Sequence, residues 1–167
     1  MLPSYMVEWH AQKKAMTRDA FAAKYPHPFL IRQGDPDQME RISFQTQVGN
    51  AKQTAADLER VALWAGGAIV VPVTKRPENP YPDRISIGRA QNCDVVIRDA
   101  TVSKLHGHFS GLKPGEAMLT DRGSHNGTAV NGTPVKETPI KVTSGDKILF
   151  GDVNTQFVDA RRLWDLL

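Results

Sequence analysis

The sequence predicts a mainly β protein: an all-β sandwich or barrel from residue 68 onward, preceded by an α+β extension over residues 1–67. Three observations carry this. After residue 68, short runs of apolar and β-branched residues follow one another closely, with turn residues between them. The intervening "TKRPENPYPD" and "KPGEA" are loops by composition, because proline denies a ladder its donors. Before residue 68, helical and strand-like stretches alternate.

In chain order, "EWHAQKKAM" has helical composition. Thr17 is placed to cap a second helical segment through Ala20, Phe21, Lys24 and Tyr25, which Pro26 and Pro28 end. "PFLIRQ" reads as a strand and "GDPD" as a turn, and Ile42, Phe44, Thr46 and Val48 alternate as a further strand. Residues 54–65 place Leu58, Val61, Ala62 and Ala65 at helical spacing, with Thr54 as cap and Gly66-Gly67 as terminator. The β region reads as "AIVVPV", "RISIGR", "DVVI", "HGHFS", "EAMLT", "TAV", "TPIKV", "KILFG" and "NTQFV". This sets the sandwich at residues 68–158. The closing "ARRLWDLL", within residues 159–167, is a short helix or tail whose Leu163, Trp164 and Leu167 would pack back on the sandwich.

The chain of 167 residues is 40% hydrophobic and 23% charged, close to the averages of soluble globular proteins, which argues against disordered and fibrous classes. The longest apolar run, "VALWAGGAIVV", is too short to cross a bilayer, and the first residues lack a signal-peptide core. A cytoplasmic protein without a membrane association is therefore expected. The formal charge of +3 is small and scattered, with no basic stripe interleaved with aromatics, so no nucleic-acid partner is expected. Cys93 is the single cysteine, which rules out an internal disulfide and reads as a small core residue.

Catalytic and metal motifs are weak. No Gly-x-Ser-x-Gly elbow joins a strand to a helix. His106 and His108 would share one face of a strand, and with His125 could be imagined as ligands, but no paired carboxylates or Cys-x-x-Cys accompany them. The expectation is no enzyme, no metal and no cofactor. Parts suited to an anion are better represented. Arg89 follows Gly88 at a strand end, and Ser103 lies beside Lys104 in a short loop; guanidinium and hydroxyl donors suit phosphate oxygens. No glycine precedes Lys-Ser/Thr at a helix start, so a nucleotide P-loop is not supported. Taken singly, each of these residues also reads as ordinary turn or surface chemistry. The stretch "DRGSHNGTAVNGTPV" adds two Asn-Gly pairs so close that only a three-residue strand fits between them.

Read together, these segments resemble the forkhead-associated (FHA) domain, a β-sandwich module that binds phosphothreonine peptides. "ISIGRAQNCDVVIRDATVSKLHGHF" carries the matching Gly88, Arg89, Asp94, Asp99, Ser103 and His106. "LTDRGSHNGTAVNG" supplies Asp121, Ser124, Asn126, Gly127, Thr128, Asn131 and Gly132, and "VTSGDKILFG" resembles the closing Gly-Asp-x-Ile strand. The resemblance spans about ninety residues, and four motifs keep the family's order. It refines the fold class to an FHA-like β-sandwich with an N-terminal α+β extension.

The resemblance implies roles for these residues. Arg89 and Ser103 would bind the phosphate, with Lys104 adding charge. Asn126 would hold the ligand backbone, and Asn131 would mainly fix loop shape while also reaching the peptide. Gly88, His106, Gly127 and Gly132 would support the site, with His106 buried between loops. The family commonly has Thr or Ser before the first Asn-Gly, where this chain has His125; a histidine there is a further candidate phosphate contact, strengthening as pH falls. The implied function is a non-catalytic phosphothreonine-binding adaptor in Ser/Thr-kinase signalling, whose partner is a kinase substrate or the kinase itself. The alternative is a phosphate-independent structural or oligomerisation module. The resemblance does not reach residues 1–67, which are expected to pack on the sandwich or to offer a second surface, including one for self-association.

Overall fold

The computed structural model describes residues 4–33 and 54–167. The expected turn at 34–37 and the expected strand through Ile42, Phe44, Thr46 and Val48 lie outside the described residues.

A two-residue strand, β1 (Ser4–Tyr5), leads into α1 (Met6–Lys14) and α2 (Arg18–Lys24). The Thr17 hydroxyl accepts from the Ala20 N–H at 3.2 Å, so one orphan donor of α2 is met as the sequence suggested. Strand β2 (Phe29–Arg32) follows, and then α3 (Ala55–Ala65). A reciprocal cap starts α3: the Asp57 N–H donates to the Thr54 hydroxyl, and the Thr54 N–H donates to the Asp57 carboxylate. Gly67 ends it with a φ of 60°. The buried face of α3 differs from the one the spacing suggested. Leu58 and Val61 are exposed, whereas Leu63 is buried and Trp64 donates its indole N–H to the Leu166 carbonyl.

The remaining strands are β3 (Ile69–Pro72), β4 (Arg84–Gly88), β5 (Val95–Val96), β6 (Gly107–Lys113), β7 (Glu116–Asp121), β8 (Thr128–Val130), β9 (Thr133–Val135), β10 (Ile140–Thr143), β11 (Lys147–Phe150) and β12 (Val153–Val158). Helix α4 (Ala160–Leu166) closes the chain. The strands form two sheets. One runs β1-β3-β2-β12-β11-β8-β9 and the other β10-β7-β6-β4-β5, and among the described strands only the β4–β5 pair is parallel. Strand β9, over "TPV", had no counterpart in the sequence reading. It lies at a sheet edge, where Pro134 can pair opposite Ala129 without the ladder needing its missing donor.

Between the sheets lies one core, in which Ile85, Ile87, Phe109 and Leu119 meet Leu30, Ile148, Phe150 and Phe157. A second core covers the outer side of the larger sheet. There Phe29, Ile31, Val70 and Val158 pack against Trp9, Phe21 and Leu163 of α1, α2 and α4 and against Tyr25, which follows α2. Strand periodicity explains the division. Leu30 points into the sandwich while its neighbours Phe29 and Ile31 point to the helices, so "FLI" is buried on both faces. Strand β2 is thereby part of the sandwich: Leu30 pairs opposite Phe157 of β12 on one side and Val71 of β3 on the other. Residues before 68 thus contribute both a strand and the helical cover. Helix α4 packs in this outer layer, with Trp164 edge-on to Phe21 at 5.5 Å.

Candidate functional site

Three connections meet at one end of the sandwich: the turn after β4, the β5–β6 loop and the β7–β8 loop. The first two touch through glycine. A Cβ on Gly88 would lie 2.3 Å from the Lys104 carbonyl oxygen, so only glycine admits this approach. The gap is bridged by Arg89 N–H to Ser103 C=O at 2.9 Å and Ala90 N–H to Lys104 C=O at 3.1 Å. The β5–β6 loop is shaped by Asp99, whose carboxylate accepts from the Thr101 N–H and hydroxyl, and by buried Val102. Those Thr101 bonds, with help from Arg32 at 3.8 Å, hold the Asp99 carboxyl below its usual range. Arg32 belongs to β2, so the N-terminal part reaches the loop that carries Ser103.

His106 ties the second loop to the third. Its Nδ1 accepts from the Ser103 N–H at 3.1 Å, which leaves Nε2 to donate to the Gly127 carbonyl at 3.0 Å, with the Thr128 hydroxyl at 3.1 Å. The ring is fully buried and stands edge-on to Phe150 at 5.6 Å. Burial pushes its pKa down from the ordinary 6.5, against the opposing influence of the Gly127 bond and of Asp121. The 3.8 Å approach of Nε2 to Asp121 is therefore a contact of a neutral imidazole and not an ion pair. Asp121 organises the third loop, accepting from the Ser124 N–H at 2.8 Å and from the Ser124 and Thr128 hydroxyls. Its burial opposes ionisation, but these hydrogen bonds together outweigh it and lower the pKa.

On this frame the donors come together. The Ser103 hydroxyl oxygen accepts from the His125 N–H at 3.0 Å, so its own proton is free to point outward. Arg89 is exposed and donates Nε to the Val102 carbonyl at 3.1 Å, which steadies the guanidinium and, among the described residues, leaves its two terminal nitrogens unspent. Asn126 is exposed and donates Nδ2 to the Thr101 carbonyl at 2.8 Å. A dianionic oxyanion suits such a cluster.

The other sequence-singled residues divide. Lys104 is exposed on the same loop but lines a neighbouring groove. The His125 ring is exposed, while its backbone N–H is already used by Ser103. Gly127 holds a φ of 81° and passes its carbonyl to His106 and to the Gly151 N–H. Asn131 is not joined to the cluster. Its amide donates to Asp146 at 2.8 Å and accepts from the Lys147 N–H at 2.9 Å, so both ends are engaged in holding β8 to β11. With φ of 49° and 83°, Asn131 and Gly132 form the two-residue turn between β8 and β9.

His106 and His108 do not share a face as the spacing suggested. His106 precedes β6 and turns inward beneath the loops, whereas His108 is half-buried on the outer face of its sheet. Among the described residues, no three His, Cys, Asp or Glu side chains cluster as metal ligands would. Nor is any helix among them long and apolar enough to cross a membrane. Cys93 is buried, its thiol facing the Lys104 carbonyl at 3.3 Å, and burial pushes the thiol pKa up. The sequence reading missed the carbonyls of Thr101 and Val102, which hold Asn126 and Arg89. Main-chain acceptors carry no signature in residue type.

Comparison with known proteins agrees with this architecture. Residues 85–151 match the family model of the FHA domain, a family of phosphothreonine-binding modules. No curated protein matches the chain. Among solved structures, the chain is similar to the FHA domain of yeast Dun1 in complex with a doubly phosphorylated peptide, at 19% identity, covering 83% of this chain and 78% of that one with a TM-score of 0.51. It is also similar to the FHA domain of the CT664 protein from Chlamydia trachomatis, at 16% identity, covering 79% and 97% with a TM-score of 0.50. A third similarity is to the FhaA FHA domain complexed with the intracellular domain of Rv3910, at 29% identity, covering 49% and 87% with a TM-score of 0.41.

Proposed function

We propose that this chain, which carries an FHA domain, is a non-catalytic adaptor that binds a phosphothreonine segment of a partner protein at the end of the sandwich bearing Arg89, Ser103 and Asn126. The observation that carries the reading is the set of groups there left unspent among the described residues: two guanidinium nitrogens of Arg89, the hydroxyl proton of Ser103 and the side-chain carbonyl of Asn126. The first two suit phosphate oxygens. The third can accept from a backbone N–H of an extended ligand.

A phosphothreonine carries about −1.5 to −2 charges, and each charge-assisted hydrogen bond contributes roughly 1.5–3 kcal/mol. Two such bonds are enough to favour a phosphorylated over a plain peptide by a hundredfold or more. Lys104 and the His125 ring add positive or donor capacity at the margin. The partner is a protein phosphorylated by a Ser/Thr kinase, or the kinase itself. The aromatic residues of the N-terminal part, Trp9, Phe21, Tyr25 and Phe29, are spent inside the chain, which supports a structural role for that part.

The test is a titration of phosphothreonine, phosphoserine and unphosphorylated forms of one peptide against the wild type and Arg89→Ala. The expected result is strong preference for phosphothreonine in the wild type and its loss in the variant. Equal affinity for all three peptides would instead indicate a phosphate-independent structural or oligomerisation module.

A further inference from the structure

Beside the proposed phosphate site, the outer face of the smaller sheet carries a groove of about 770 Å³. Strand alternation creates its floor: Ile85, Ile87 and Phe109 turn into the core, which leaves Arg84, Ser86 and His108 facing out. One wall is the β3–β4 connection, held by Asp94. The Asp94 side chain is fully buried and accepts from the Arg76 N–H, the Asn79 amide and the Ser86 N–H and hydroxyl, with the Lys75 ammonium at 3.2 Å. Although burial opposes ionisation, these donors together keep the carboxyl below its ordinary range. So saturated a carboxylate fixes the proline-rich loop as a rigid wall. The other wall is Lys104 and Leu105, which directly follow Ser103, so groove and phosphate site share one loop.

The lining is cationic. Among the described residues, Arg76, Arg84, Lys104 and Arg122 share the lining with one carboxylate, Glu78. Arg84 is shared with exposed Asp83 at 3.4 Å and lies over the Tyr81 ring, and Arg76 donates to the Gln91 carbonyl. Lys104 and Arg122 make no ion pair with a carboxylate among the described residues. The field is felt locally: after burial, Arg84 and Arg122 are what push the His108 pKa down. Two large exposed apolar side chains, Tyr81 at 59% and Leu105 at 52% exposure, stand in the lining, so the groove offers both charge and apolar surface.

We propose that this groove receives an acidic stretch, Asp or Glu side chains beside an apolar one, of the same polypeptide whose phosphothreonine sits at Arg89 and Ser103. The inference rests on the phosphothreonine reading and adds a specificity to it. Asn126 is bonded to Thr101, whereas the groove is lined by Lys104, on the other side of Ser103 in the same loop. The acidic stretch therefore lies on the flank of the phosphothreonine that Asn126 does not hold.

The test uses the full chain and fluorescence anisotropy with four peptides: a phosphothreonine peptide with neutral flanks, two with three acidic residues on one flank or the other, and an unphosphorylated acidic one. One acidic-flanked phosphopeptide should bind about five- to tenfold tighter than the neutral one, the yield of two or three partly exposed ion pairs. Arg122→Glu should abolish that gain and leave the neutral phosphopeptide unaffected, and Arg84→Gln should reduce it. No gain on either flank, or a gain that survives both substitutions, overturns the groove assignment while leaving the phosphothreonine reading intact. If phosphorylation has no effect but the acidic peptide binds through Arg122, the phosphothreonine reading fails and the groove stands. If nothing binds, both fail.

Discussion

Asn126 and Thr101, 25 positions apart in the chain, are joined by a 2.8 Å hydrogen bond from the Asn126 side-chain amide to the Thr101 carbonyl. A carbonyl can only accept, so the NH2 end of the amide must face the protein and the oxygen end must face outward. Loop closure thus uses the donor end of this side chain, and the proposed hold on a ligand backbone would use the other.

Asn126→Ala should lower phosphopeptide affinity about tenfold, while unfolding free energy falls by only about 1 kcal/mol because the lost bond is exposed. Isothermal titration and denaturant melts read the two effects separately. Unchanged affinity would remove Asn126 from the ligand site.

Arg89→Lys keeps the charge and loses the fork. A lysine cannot hold the Val102 carbonyl and present two further donors in one plane, so phosphopeptide affinity should still drop about tenfold or more. A variant that binds as the wild type does would mean that charge alone suffices.

Gly88→Ala drives a methyl group into the Lys104 carbonyl, which would stand 2.3 Å away. Because that atom is backbone, relief requires parting β4 from the Ser103 loop. The expected outcome is destabilisation by about 2–3 kcal/mol together with loss of binding, seen in thermal melts and titrations.

Acid should weaken the loop junction through His106. Its pKa is lowered by folding, so the folded state binds the proton less readily than the unfolded chain, and the associated stability is present above about 6.5 and lost as pH falls below it. Protonation at Nδ1 would also expel the Ser103 N–H. Melting temperatures between pH 8 and about 5 should decline more steeply for the wild type than for His106→Asn. Parallel profiles would assign the acid sensitivity elsewhere.

Asp94→Ala leaves the Arg76 and Ser86 N–H groups and the Asn79 amide without their acceptor, and leaves Lys75 without its partner. Loss of about 3–5 kcal/mol is expected, as for other broken buried charge networks. The Asp94 carboxyl also has a lowered pKa in the folded state, so its contribution is present above the unfolded value and lost as pH falls through the folded one. Chemical denaturation at neutral and acid pH measures both.

Much of the fold was legible in the residues. Alternation in "RISIG" and "EAMLT", turn chemistry at Asn131-Gly132, and caps at Thr17 and Thr54 each reflect a local preference that the surroundings did not override. "TPV" was not legible, because a proline is tolerated in a strand only at an edge, and edge position is a property of the whole sheet. Helix α3 was legible as a helix but not in its orientation, since Leu58, Val61 and Leu63 are all apolar and only packing distinguishes them.

By itself the sequence determined most of the described strands and the caps at Thr17 and Thr54, and through its ordered motifs which residues are candidates for a phosphate. Tertiary structure alone decided how those residues are spent. Two asparagines with the same Asn-Gly signature are engaged differently: Asn131 meets Asp146 and the Lys147 N–H, which occupy both ends of its amide, while among the described residues Asn126 meets one carbonyl, which occupies the donor end. The partners come from strands and loops distant in the chain, and a hydrogen-bonding capacity is used up or left over only when the fold has set its neighbours.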